Sequence, residues 1–344
     1  MIWRGFEGTD LPAWLESLVR AGECGGIVIF GRNVDEPRQV WETAQRAAAA
    51  HGGPGAVVLA ADQEGGRVAR LAHPHFTAFP AARALASAPT PDLVRAAGRA
   101  LGEEMAAVGL NLDLAPVLDV QEGTTGVIGD RSFGADPATV SRAALAWLAG
   151  LESAGIAGCA KHFPGHGNAS CDSHVDLPLA DGGLERIRER HLPPFRDAVQ
   201  AGVRAVMAAH VLVPDLDPDR PASLSPAAID GLLRGELGFG GVVVTDDLEM
   251  GAVSRGLAVA DAALMAVRAG CDAILVCTSR DLQDEACAAL AREADRSPAF
   301  RARIERSLAR LDALASTLGR PPGAFDPSRI RSPEHLAIAG GPPW

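Results

Sequence analysis

The 344-residue chain contains no tyrosine, and only 4% of its residues are aromatic. The missing phenol removes one candidate acid, base or nucleophile from any reaction the protein carries out. No apolar run reaches the roughly 18–20 residues that a membrane span needs, and the opening stretch MIWRGFEGTD has no apolar core of a secretory signal. Six cysteines (Cys24, Cys159, Cys171, Cys271, Cys277, Cys287) include no CxxC pair, so reduced thiols in a cytoplasmic protein are expected. Positive charge is also in deficit. A formal net charge of −11 and a pI near 5.3 argue against nucleic acid or an anionic membrane as partner. No GxGxxG follows the first apolar segment, which disfavours a doubly wound dinucleotide fold.

What is present is a repeated alternation. Eight short apolar segments recur: Met1–Phe6, Gly25–Phe30, Ala56–Asp62, Leu110–Pro116, Ile156–Phe163, Arg204–Val211, Gly241–Leu248 and Ala273–Cys277. Between most of them lie alanine- and arginine-rich stretches with helical spacing, such as Pro37–Ala50, Pro91–Val108, Pro137–Ala154, Leu184–Ala201 and Leu257–Ala269. Proline opens several of these, as suits a first helical turn. Eight β-then-α units predict an α/β protein built as a single (β/α)8 TIM-type barrel, residues 1–318. Helices are expected over Asp281–Glu293 and Pro298–Leu318. Residues 319–344 are expected to form a proline- and glycine-rich tail, packed outside or left mobile.

In such a barrel, polar residues at the C-terminal ends of the strands are the chemical ones. The third segment ends in Asp62, followed by QEGGRVAR with Arg67 and Arg70. The fourth carries Asp113 and Asp119, followed by a GDRSFG turn with Arg131. The fifth ends in Lys161 and His162, the sixth in His210, and the seventh in Asp246 and Asp247. Adjacent residues of a strand point to opposite faces, so one of Asp246 and Asp247 is expected at the mouth, with the other capping or pairing. His210 reads as a satisfied core histidine. The stretch after the fifth strand, KHFPGHGNASCDSHVDLP, concentrates three histidines around Pro164, Gly165 and Gly167, which break any helix. His162 and His166 therefore lack the helical geometry of a zinc HExxH pair. His166, Asp172 and His174 could in principle form a facial triad, but the expectation is no metal and no cofactor.

KHFPGHG followed by DSH, with DQEGGRV upstream and TDDLEM downstream, closely resembles family 3 glycoside hydrolases of the β-N-acetylglucosaminidase (NagZ) type, over nearly the whole chain from Phe6 to Leu318. The resemblance implies catalytic roles for Asp246 (nucleophile), His174 (general acid/base) and Asp172, which would pair with His174. It implies substrate binding by Asp62, Arg70, Arg131, Lys161 and His162. The implied partner is a small carbohydrate, typically a muropeptide of cell-wall recycling. The implied reaction is release of a non-reducing terminal β-N-acetylglucosamine with retention. The chemistry is consistent: a retaining glycosidase needs a carboxylate and an acid flanking the scissile bond, and imidazole has a pKa suited to the second role. A phosphorylase on the same barrel, a broader β-glycosidase, and a Schiff-base lyase using Lys161 are the competing readings.

Overall fold

The computed structural model describes residues 1–53, 55–88, 90–121, 127–166, 177–180 and 182–340. Eight strands close into a parallel barrel: β1 (Ile2–Arg4), β2 (Gly26–Ile29), β3 (Leu59–Ala61), β4 (Leu112–Asp113), β5 (Ala157–Phe163), β6 (Ala205–Ala208), β7 (Val242–Asp247) and β8 (Ala273–Val276). Each strand pairs with its neighbours in sequence, and β1 closes on β8 with Ile2 opposite Ile274. All eight expected segments thus supply a barrel strand. β4 is the shortest beside its expectation, yet its contact with β5 continues beyond Asp113: the Ala115 and Pro116 carbonyls accept from the Cys159 and Lys161 N–H groups, and Val117 bridges to Lys161.

The helices pack around the outside: α1 (Ala13–Ala21), α2 (Pro37–Ala50), α3 (Asp92–Ala107), α4 (Pro137–Ser153), α5 (Leu192–Gln200), α6 (Val259–Ala269), α7 (Arg280–Arg296) and α8 (Pro298–Thr317). A π-helical segment, Ala227–Glu236, occupies the position between β6 and β7. The one helix expected over Leu184–Ala201 is a composite. It begins as Gly183–Arg186, widens to π geometry over Ile187–His191 and then continues as α5. Pro193 and Pro194 have no N–H to bond back into the preceding turn, and that turn is where the helix widens.

Two apolar layers hold the barrel. Trp3, Val28, Ala60, Leu112, Ala157, Met207, Val244 and Leu275 fill the interior, with Leu311, Leu314 and Leu318 of the α8 end closing the floor. The outward faces of the strands bury a larger layer against the helices, in which Leu101, Trp147, Phe195 and Val267 are fully covered. This is a packed barrel, not a pore, so the space for chemistry is at the mouth. Residues after Gly319 include α9 (Pro333–Ala339), whose buried His335 lies 3.0 Å from Glu104 and 2.9 Å from Glu103 of α3.

Candidate active site

Asp62 follows β3 directly. The chain then turns through Gly65 and Gly66, both with positive φ (+82° and +58°), in a short hairpin of Gln63–Gly65 and Val68–Ala69. Only glycine adopts these angles without cost, and a Cβ on Gly65 would lie 2.6 Å from the Pro80 carbonyl oxygen. The hairpin returns Arg70 to Asp62: its backbone N–H donates to the Asp62 carbonyl at 3.2 Å and its guanidinium to Asp62 Oδ2 at 3.1 Å. Lys161 Nζ sits between two carboxylates, 2.7 Å from Asp62 Oδ1 and 2.6 Å from Glu64 Oε1. Arg131 grips Glu64 with two hydrogen bonds of 2.8 Å. The fork matches the carboxylate in the way an ammonium cannot.

Lys161 is the only lysine in a chain with 31 arginines, and its side chain is 1% exposed. Burial alone would lower its pKa, but Asp62 and Glu64 outweigh burial and hold the ammonium charged well above its ordinary range. The same balance runs the other way for the carboxylates. Burial disfavours their charge, Lys161 overrides it, and Asp62 and Glu64 stay ionised.

His162 adjoins this cluster. Its Nδ1 donates to Asp119 Oδ2 at 2.6 Å, and its Nε2 lies 3.4 Å from Arg131. Asp119, fully buried, also accepts the His166 backbone N–H. Burial would raise the Asp119 pKa, and the His162 contact brings it below the ordinary value. Gly165, with φ +127°, lets the chain leave β5 past His191, where a Cβ would meet that side chain at 2.6 Å.

Asp246 comes from β7. Burial would raise its pKa, and the facing histidines His162 and His210, with the Asp247 N–H that it accepts at 2.9 Å, lower it. Asp62, Arg70, Arg131, Lys161, His162 and Asp246 all line one cavity of about 460 Å³ at the barrel mouth. The six described residues to which the resemblance gives a catalytic or binding role are therefore in one place, while Asp113, Asp119 and His210 do not line the cavity. Asp172 and His174 lie outside the described residues, as does Cys171. Among the described residues, no cluster of histidine, cysteine, aspartate and glutamate could hold a metal.

One expectation needs correction. Asp246 and Asp247 do not face opposite ways at the mouth, since both line the cavity. Partners step from Val244–Ala273 to Asp247–Leu275, three residues on β7 against two on β8. That extra residue is a bulge, which breaks the two-residue alternation. β5 carries the same device: from Ala160–Val206 to Phe163–Ala208, again three residues against two, with Lys161 and His162 between. The capping half of the expectation stands, because Asp247 also accepts the Glu249 N–H at 3.2 Å. His210 is fully buried, with Nδ1 2.6 Å from Ser223 Oγ and Nε2 3.0 Å from the Asp247 carbonyl.

The sequence reading missed Glu64; it noted Asp119, His166 and Asp247, but not as members of this site. Glu64 stands two residues after Asp62, a spacing that puts both on one face of an extended segment. Asp119 was visible as a strand-end carboxylate, but its pairing with His162 and His166 carried no local signal.

Residues 11–314 match the family described as the glycosyl hydrolase family 3 N terminal domain. The chain belongs to glycosyl hydrolase family 3. Its similarity to other members is broad. It is 43% identical to a β-hexosaminidase of Pseudomonas aeruginosa over 290 residues, 83% of this chain and 84% of that protein. A β-hexosaminidase of Thiobacillus denitrificans is 38% identical over 288 residues, 82% and 79% of the two chains. Among solved structures, a family 3 β-N-acetylglucosaminidase from Paenibacillus superposes with a TM-score of 0.91 at 38% identity, covering 98% of this chain and 66% of that one. NagZ from Neisseria gonorrhoeae, solved with N-trifluoroacetyl-D-glucosamine, superposes at 0.76 with 31% identity, covering 92% and 98%. As a family 3 member the protein is a glycoside hydrolase, and the cavity at its mouth is the candidate active site. Among the described residues, no helix is long and apolar enough to cross a membrane.

Proposed function

We propose that the protein removes non-reducing terminal β-N-acetylglucosamine from peptidoglycan-derived muropeptides in the cytoplasm, with retention, through a glycosyl-enzyme intermediate on Asp246. The observation that carries the reading is the Asp246 carboxylate itself, kept ionised and opening into the same cavity as Asp62, Arg131, Lys161 and His162. An ionised carboxylate beneath the anomeric carbon is what the first displacement requires. The charged cluster offers donors and acceptors spaced for the sugar hydroxyls: Asp62 and Lys161 meet at 2.7 Å, and Arg70 and Arg131 flank them. Fixed charges of this kind orient a sugar before reaction.

His174 serves as acid/base and Asp172 supports its charged form, the orienting part that an aspartate plays in a serine protease triad. The free thiols of the described cysteines suit a reducing compartment. Lys161 does not fit a Schiff-base lyase, because attack on a carbonyl needs a neutral amine and this ammonium is held charged.

Three readouts test the proposal together. The anomer first released should be β, followed in the product's NMR spectrum before mutarotation, and the rate should not depend on phosphate. His174→Ala should slow substrates with poor leaving groups far more than activated aryl glycosides, which depart without a proton. Release of the α anomer, or an equal loss on both kinds of leaving group, would overturn it.

A further inference from the structure

Asp247 has no part in the proposed chemistry, yet it stands in the reaction chamber. The β5 bulge brings two consecutive residues, Lys161 and His162, onto the cavity, and the β7 bulge does the same for Asp246 and Asp247. Bulges beside active sites re-aim side chains. A second carboxyl next to the one that attacks carbon is a costly neighbour if it only caps a turn.

The cavity has two unlike halves. Asp62, Arg131, Lys161 and His162, from the β3–β5 side, make a polar half. Asp247 pairs with Leu275 on the far side of β7, and Met250, Leu275 and Cys277 line the cavity there. Burial pushes the Cys277 thiol well above its ordinary range, so it remains uncharged. This half is apolar with one carboxyl in it.

A pyranose presents its C3, C4 and C6 hydroxyls along one side, while C2 adjoins the attacked C1. With the hydroxyl side in the polar half and C1 above Asp246, the C2 substituent faces β8. We propose that Asp247 is a specificity-determining residue that hydrogen-bonds the acetamido group on C2, with Met250, Leu275 and Cys277 as the apolar wall for its methyl. This rests on the reading that the substrate is an N-acetylglucosaminide. Burial, with the charges of Glu249 and Asp246 beside it, lifts the Asp247 carboxyl to about 7. Acid and carboxylate forms are then both present near neutrality. An amide suits either, its N–H meeting the carboxylate and its C=O the acid.

The test compares kcat/KM for the 2,4-dinitrophenyl β-glycosides of N-acetylglucosamine and glucose, whose activated leaving group keeps both measurable. Asp247→Ala should cut the preference for the N-acetyl sugar by about 30-fold, the N-acetyl substrate losing far more of its kcat/KM than the glucoside. Asp247→Asn, close in shape and still able to bond an amide, should hold the preference within about fivefold. A merely structural Asp247 would lose both substrates alike, and that result, or an unchanged preference in Asp247→Ala, overturns the inference alone. A wild-type enzyme that prefers the glucoside overturns the proposed function and this inference with it.

Discussion

The barrel buries charge at both ends, and the two clusters behave differently. At the floor, Asp272 precedes β8 and is fully buried. Arg234 reaches it at 2.6 Å, Arg310 at 3.2 Å and Arg303 at 3.6 Å, and it also accepts from Ser307 Oγ at 2.8 Å and the Val243 N–H at 3.0 Å. Both oxygens are used within the protein. At the mouth, Asp62 gives one oxygen to Lys161 and the other to Arg70, and its remaining lone pairs open on the cavity. Buried charge alone therefore does not mark a site. Spare hydrogen-bonding capacity turned toward open space does, and the floor cluster ties helices to the end of a strand.

Substitutions can sharpen or break that contrast. The largest effect is expected at the mouth: Asp246→Asn should lower kcat by about 10⁴-fold or more while folding is intact, read by steady-state kinetics beside a thermal melt. Next comes the floor. Asp272→Asn leaves three guanidiniums without their counter-charge and should cost about 3–5 kcal/mol of stability, measured by denaturant unfolding. The activity of the remaining folded enzyme should stay within about twofold, as expected for a site far from the chemistry. A catalytic defect as large as the loss of stability would erase the distinction between the two ends. The smallest effect of the three is expected for Lys161→Arg. The charge is kept, but a planar fork replaces a compact ammonium between Asp62 and Glu64, and kcat/KM should fall about 100-fold through misplaced partners. Full activity in this variant would mean that charge alone suffices at the one position where the chain uses lysine.

The barrel was legible in the sequence because eight apolar segments alternate with helical spacing, and because their polar ends converge only if the strands run parallel. Asp62, Arg70, Arg131, Lys161 and His162 were visible at or just after the same ends, while the substrate-binding role proposed for them came from the family resemblance. What the alternation could not carry was the bulges. A period of two assigns Asp246 and Asp247 to opposite faces, and only the extra residue in the β7 register brings both to the mouth. The partners that hold site residues in place were equally hidden. Asp119 is separated by more than 40 residues from His162 and His166, and no local pattern connects them. The widened turn before α5 depended on how Pro193 and Pro194 met the preceding helix, which composition alone does not express.

The most direct measurement is covalent trapping. A 5-fluoro glycosyl fluoride of the N-acetylglucosamine series slows breakdown of the intermediate, so the enzyme can be digested and the labelled peptide sequenced by mass spectrometry. The expected adduct is on Asp246, formed in step with loss of activity and absent from Asp246→Asn. An adduct on Asp247, or complete turnover by an Asp246→Asn enzyme, would contradict the assignment of Asp246 as the attacking carboxylate.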